Sequence, residues 1–201
     1  MTSLLQINSS IFHNDGQSSQ LADQFVSAWI NKHQETQLVI RDLAKNPLPH
    51  LNAERAQAFV TKPDLRSAQQ QKLVAESDLL INELKGAKII VIGLPMYNFG
   101  IPSTLKAYFD YIARSGLTFR YTEKGSEGLL TGKKAYIFAA RGGLYAGTPL
   151  DSQTEYMKHF LGFIGITDIE FIYAEGLNIS EASKNAALAA AKQQITDLVN
   201  Q

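Results

Sequence analysis

The sequence predicts a doubly wound α/β fold: a five-stranded parallel sheet between two layers of helices, a three-layer sandwich. Three observations lead there. Short β-rich runs alternate with longer segments of helical period along the 201 residues, and strict alternation implies parallel strands joined by right-handed crossovers. Two of the runs, KIIVIGL at 88–94 and KAYIFAA at 134–140, are almost uninterrupted apolar stretches, as strands covered on both faces require. Hydrophobic residues make up 45% of the chain and charged residues 19%, enough for one full core, so residues 1–201 are read as a single domain.

The strands are expected at Leu4–Asn8, Gln37–Leu43, Lys88–Leu94, Lys134–Ala140 and Ile169–Glu175. A first helix starts near Ser19 and buries Leu21, Phe25, Ala28 and Trp29. A second carries Leu73, Ser77, Leu80, Ile81 and Leu84 on one face and is stopped by Gly86. Pro102 suits a first helical turn, followed by Leu105, Phe109 and Ile112. Tyr156 and Phe160 mark another helix. Ser180 and Glu181 open the last, with Leu188, Ala191, Ile195 and Leu198 inward. Two insertions interrupt the alternation. Lys45–Arg66 holds Pro47, Pro49 and Pro63; Leu117–Gly132 alternates at TFRYTE and turns at Lys124-Gly125, a hairpin signal. Five strands of this kind fit the order 2-1-3-4-5 of flavodoxin-like sheets, whose ligands sit beyond the carboxyl ends of the strands at the switch in strand order.

Composition removes several classes of function. Nineteen basic and nineteen acidic residues leave no net charge to draw nucleic acid or anionic membrane. The chain has no cysteine, which excludes disulfides, thiolate nucleophiles and iron–sulfur ligation. His13, His33, His50 and His159 are dispersed without metal-ligand spacing, so no metal site is expected. His13, Lys62, Lys133 and Lys134 are expected to be solvated. No G-x-S-x-G elbow occurs. MTSLLQINSS lacks the basic start of a signal peptide and no apolar run reaches membrane-spanning length, so a cytoplasmic protein is expected.

The unusual segments fall at the ends of the first, third and fourth strands. After the first come Ser9-Ser10 and then Gly16-Gln17-Ser18-Ser19 leading into a helix. A helix N-terminus rich in hydroxyls suits a phosphate monoester; a plain serine cap would account for the same residues. After the third come Pro95, Met96, Tyr97, Asn98, Phe99 and Gly100, able to hold a planar ring and read its polar edge, or alternatively a turn with its aromatics folded inward. After the fourth come Arg141, Gly142 and Gly143. Their N–H groups can approach a ring edge closely; a glycine turn with a solvated Arg141 is the alternative. Together the three loops describe an aromatic mononucleotide.

The chain resembles the FMN-dependent NADH-azoreductases, flavodoxin-like enzymes once labelled acyl carrier protein phosphodiesterases. The resemblance rests on SS at 9–10, QS at 17–18, PMYNF at 95–99, YFD at 108–110, GLTFRYTEKGSEGL at 116–129, RGG at 141–143 and FLGFIG at 160–165. It implies a homodimer with one non-covalent FMN per subunit and NADH as donor. By resemblance, Ser10, Gly16, Gln17 and Ser18 hold the phosphate and ribityl end. Pro95, Met96, Tyr97, Asn98 and Phe99 hold the ring, and Ala140, Arg141, Gly142 and Gly143 line its pyrimidine edge. Asn98 and Phe99, with Tyr121 and Phe163 partly from across the dimer interface, are the implied substrate residues. Gly16 and Ala140 stand where such enzymes often carry serine. The implied activity is hydride transfer from NADH to quinones and aromatic azo compounds by a ping-pong route, with FMN carrying the chemistry and no catalytic side chain needed. The rival reading is a flavodoxin-type electron carrier; such carriers are usually strongly acidic, and this chain is neutral.

Overall fold

In the computed structural model, which describes residues 2–200, strand β1 (Ser3–Asn8) has a parallel partner on each edge. β2 (Gln37–Asp42) lies on one side and β3 (Ile89–Pro95) on the other. A two-stranded hairpin, β4 (Phe119–Thr122) and β5 (Gly125–Gly128), stands apart from the sheet. β3 continues to β6 (Lys134–Ala140) and β6 to β7 (Asp168–Ala174). The sheet order is therefore β2-β1-β3-β6-β7. Counting only its five parallel strands, this is the expected 2-1-3-4-5 order of flavodoxin-like sheets, which alternation alone does not fix. The hairpin turns at Glu123–Lys124, one residue before the expected place, because Thr122 pairs with Gly125.

Alternation of side chains along the strands builds two cores. Leu5, Ile7, Ile90, Ile92 and Ile137 face α3 (Ala68–Gly86), α4 (Ser103–Ile112) and α5 (Ser152–Phe163). Leu4, Val91, Tyr136, Phe138 and Ile172 face α1 (Gln17–Lys32) and α6 (Glu181–Asn200). β3 is buried at all seven positions, which explains why it has no polar residue. α3 starts with a reciprocal capping box between Ser67 and Gln70 and ends at Gly86.

Several expectations need correction. α1 starts at Gln17, two residues before the expected Ser19. Pro102 precedes α4 as its N-cap, not within its first turn. The Lys45–Arg66 insertion contains a helix, α2 (Ala53–Val60), capped by Asn52, whose Oδ1 accepts from Arg55 N at 3.0 Å. Lys133 is not free in solvent. Its ammonium donates to the carbonyls of Lys85 (2.8 Å) and Ala87 (2.6 Å), where α3 leaves acceptors without partners. Lys134 pairs with Glu170 at 3.2 Å. In FLGFIG, Leu161 and Ile164 are buried, and Phe163 packs its ring 4.2 Å from Phe119.

The hairpin is seated by glycine. A Cβ on Gly128 would fall 2.0 Å from the backbone N of Gly165, so only glycine lets the two chains touch there. Leu130 N donates to Ile164 O beside that contact.

Candidate functional site

The loops after β1, β3 and β6 meet at the carboxyl edge of the sheet, next to the switch between β1 and β3. Ser9 donates its hydroxyl to Gly93 O at 2.7 Å, locking the first loop to β3. Ser10 is buried; its Oγ accepts from Phe12 N (3.2 Å) and lies 3.3 Å from the Tyr97 hydroxyl. Ile11 N also donates to that hydroxyl. Tyr97 thus bridges the first and second loops.

The N-terminus of α1 is open to an anion. Its N-cap is Gly16, which caps with no side chain. The hydroxyls of Ser18 and Ser19 are buried and have no hydrogen-bond partner among the described residues. Neither serine is the helix cap that the alternative reading required. A buried orphan hydroxyl costs about 1–3 kcal/mol, and an oxygen of a bound phosphate would supply the missing partner while meeting the positive end of the helix. A Cβ on Gly16 would lie 2.2 Å from Ser10 Oγ, so the hollow between Ser10 and α1 depends on glycine. His13, expected at the surface, is half exposed but lies 3.5 Å from Asp42 Oδ2.

The second loop is a strained two-residue turn. Tyr97 N donates to Gly100 O at 3.1 Å and Gly100 N to Tyr97 O at 2.9 Å. The central residues, Asn98 (φ 50) and Phe99 (φ 62), are both left-handed, the mirror-image geometry of tight hairpins. Asparagine tolerates it; for phenylalanine it costs about 1–2 kcal/mol. Strain of this kind persists only where surrounding contacts enforce it. Among the described residues, the N–H groups of Asn98 and Phe99 and the Asn98 carboxamide have no partner. They remain available to a ligand. Phe99 is about half exposed and meets Tyr145 edge-on at 5.6 Å. Met96 N donates to Ala140 O at 3.1 Å and joins the second loop to the third.

In the third loop the Arg141 side chain is fully buried, not solvated. Its Nε donates to Gln153 Oε1 (3.2 Å), Nη1 to Glu175 Oε1 (3.1 Å), and Nη2 to Asp151 Oδ1 (2.9 Å) and Thr154 Oγ1 (3.2 Å). The guanidinium therefore serves the scaffold, and the loop's backbone is what it can offer a ligand. The Gly142 and Gly143 carbonyls accept from Asn178 N (3.0 Å) and Gly176 N (2.9 Å). Their own N–H groups have no partner among the described residues. Asp151 also caps α5 through Gln153 N and Thr154 N. Burial pushes its carboxyl up, but hydrogen bonds from Thr154 and Arg141 prevail and hold it below the ordinary range.

The structure brings together Ser10, Gly16, Gln17, Ser18, Pro95 to Phe99 and Ala140 to Gly143. It does not bring Tyr121 and Phe163 to them. Phe163 ends α5, whose first residue, Ser152, hydrogen-bonds Phe99 O; at 1.5 Å per residue the two ends are about 16 Å apart. Tyr121 lies beyond Phe163 on the hairpin and is 74% exposed. Sequence reasoning missed Asp151, Gln153 and Glu175, which pair over long range and share no periodic signal. The residues present fit an FMN: orphaned hydroxyls for a phosphate, a mirror-image turn with unused donors, and glycine N–H groups for a ring edge.

Comparison with known proteins agrees with this geometry. The flavodoxin-like fold family matches residues 2–199. An FMN-dependent NADH:quinone oxidoreductase of Cellvibrio japonicus is 55% identical over 97% of each chain. One from Burkholderia pseudomallei is 51% identical over 97% of this chain and 98% of its own. The solved azoreductase of Bacillus anthracis superposes with a TM-score of 0.91 at 28% identity, covering 100% of this chain and 99% of the other. An FMN-dependent NADH-azoreductase from the same species, solved with FMN, gives 0.86 at 25% identity over 99% and 100%.

Proposed function

The chain belongs to the flavodoxin-like family that includes the FMN-dependent NADH:quinone oxidoreductases and azoreductases, and on that premise we propose that it is an FMN-dependent oxidoreductase passing hydrides from NADH to quinones and aromatic azo compounds. The observation that carries the reading is the convergence of three unlike loops at one sheet edge, each with unused donors of the kind one part of FMN needs. Bound FMN supplies the acceptance and delivery of hydride. The protein positions it. Ser10, Gly16, Gln17 and Ser18 take the phosphate and ribityl end. Pro95, Met96, Tyr97, Asn98 and Phe99 back the ring. Ala140, Arg141, Gly142 and Gly143 follow its pyrimidine edge, with Gly142 and Gly143 offering N–H groups where negative charge develops.

No side chain at this edge is a proton donor or acceptor poised for catalysis, so the residues act by placement and exclusion of water. The open side of the ring loop, bounded by Asn98 and Phe99, accommodates one flat molecule at a time. Donor and acceptor therefore alternate there, a ping-pong order. Tyr121 and Phe163 lie a helix length from the loops of their own chain, which favours a homodimer in which each copy covers its partner's site. No helix is long and apolar enough to cross a membrane among the described residues, and the neutral chain works in the cytoplasm with small-molecule partners, without nucleic acid or membrane.

Anaerobic addition of NADH to the FMN-loaded protein tests the reading. Rapid bleaching of the flavin, followed by recovery of colour on adding a quinone, is expected. A flavin that stays yellow with NADH would leave only an electron carrier or a binding domain.

A further inference from the structure

The buried amide of Gln153 belongs to no loop of the site, yet it touches two of them. Its Nε2 donates to Pro95 O at 2.9 Å and to Gly100 O at 3.0 Å. Its Oε1 accepts from Arg141 Nε at 3.2 Å. The side chain is fully buried. Pro95 and Gly100 flank the turn that holds Asn98 and Phe99 at positive φ. The next residue back, Ser152, donates its hydroxyl to Phe99 O. Two consecutive residues at the start of α5 thus take the carbonyls before, within and after the strained turn. With those carbonyls engaged, the unused donors of the loop among the described residues are the N–H groups of Asn98 and Phe99 and the Asn98 carboxamide.

We propose that Gln153 is a positioning residue for the flavin ring, a clamp that holds the Pro95–Gly100 turn in its left-handed form so that Asn98 and Phe99 present their donors before the flavin arrives. This rests on the reading of that turn as the ring's seat. The physical reason is pre-organisation: a turn that is strained when free relaxes unless its flanks are fixed, and a relaxed turn must be re-ordered at the expense of binding. Gln153 suits the task because one planar amide donates in two directions and accepts in a third, using both of its N–H donors without adding charge. Arg141, fixed by Asp151 and Glu175, anchors the acceptor end.

Gln153→Glu and Gln153→Met separate the contacts. Glutamate keeps an acceptor for Arg141 and sets a carboxylate against two carbonyls; methionine keeps the volume and loses all three bonds. The readouts are the dissociation constants of the apoprotein for FMN and riboflavin, the visible circular dichroism of the bound flavin and its midpoint potential, with thermal unfolding of the apoprotein alongside. Both variants should weaken FMN and riboflavin by about the same factor, tenfold or more, because the phosphate loop is untouched. Ring dichroism and potential should shift as well. Should either variant fail to fold, Ser152→Ala, at an exposed position, should move the same quantities in the same direction by a few-fold. If flavin affinity, dichroism and potential stay at wild-type values in folded variants while Asn98→Gly changes them, the clamp is refuted and the ring seat stands. If Asn98→Gly leaves them unchanged too, the ring is seated elsewhere.

Discussion

Nη2 of Arg141 lies 2.9 Å from Oδ1 of Asp151, with the arginine side chain wholly buried and the aspartate 6% exposed. The same carboxylate caps α5, so one residue joins the third loop to the helix that holds the second.

Asp151→Ala should therefore destabilise the fold by about 2–4 kcal/mol, since it removes a charge-assisted hydrogen bond from a buried guanidinium that keeps Glu175 as its counter-ion, and removes a cap. Urea unfolding of the apoprotein measures this. The contribution should also be pH-dependent in a stated sense. The carboxyl sits below its ordinary 3.8 in the folded state, so its stabilisation is complete above about pH 4 and drains away as pH falls through the depressed value. The gap between wild type and Asp151→Asn should narrow on acidification below pH 4; a gap constant from pH 7 to pH 2.5 would contradict the pairing.

Asn98→Gly keeps a left-handed position accessible and deletes only the carboxamide. It should weaken FMN binding by about 1–3 kcal/mol if that amide reads the ring's polar edge. Asn98→Ala should lose more, because alanine tolerates φ 50 less well than asparagine or glycine. Asn185→Ala, on the exposed face of α6, is the control. Asn178 is a poor one, because its amide lies against Gly142.

Phe99→Gly should raise the thermal stability of the apoprotein by up to about 1 kcal/mol while lowering turnover, because it releases strain at φ 62 and removes a ring from the mouth of the site. Calorimetry with steady-state assays would show it; a variant both less stable and fully active would mean the turn is not strained.

Gly16→Ala drives a Cβ against Ser10. FMN affinity should fall about tenfold, near 1.4 kcal/mol, with riboflavin affected less, because the phosphate end is what is displaced. Gly16→Ser should fare no better. Titration of both ligands by flavin fluorescence decides it.

Neither Asn98→Gly nor Tyr121→Ala should support full turnover alone. If two copies build each site, mixing the variants after unfolding and refolding together should recover activity, since one site of each mixed dimer carries neither change. Sedimentation should give a dimer at micromolar concentration. Additive, unrecovered activities in the mixture would assign Tyr121 to its own chain's site or to none.

The periodic part of this molecule was legible in the sequence. β3, and β6 after Lys134, announce themselves because burial on both faces favours an almost continuous apolar run; the hairpin does so through TFRYTE. Alternation implied parallel strands; their order was the flavodoxin-like one that five such strands fit, and the three loops were placed on that assumed order. What escaped was held by single long-range contacts. Asp151 and Gln153 drew no reading, since only Tyr156 and Phe160 marked their helix, and Glu175, which accepts from Arg141, Tyr145 and Ala146, read as the end of a strand. The burial of the Arg141 side chain was foreseen in neither reading of its loop, because nothing local forecasts two carboxylates converging from residues ten and thirty-four positions away. α2 was hidden among prolines, although Asn52 was its visible cap.

Helix α5 is also a ruler. Ser152 at one end touches the ring loop and Phe163 at the other supports the hairpin. Eleven steps of about 100° bring the two within roughly 20° of the same side of the helix. A single-residue insertion or deletion between them would swing one end by about 100° and slide it by about 1.5 Å, so that whichever end kept its place, the other would miss. Substitutions on the outer face of α5 leave this relation alone. Even a change that restores the phase would slide one end by about 5.4 Å or more, so the two contacts fix the length of α5 together.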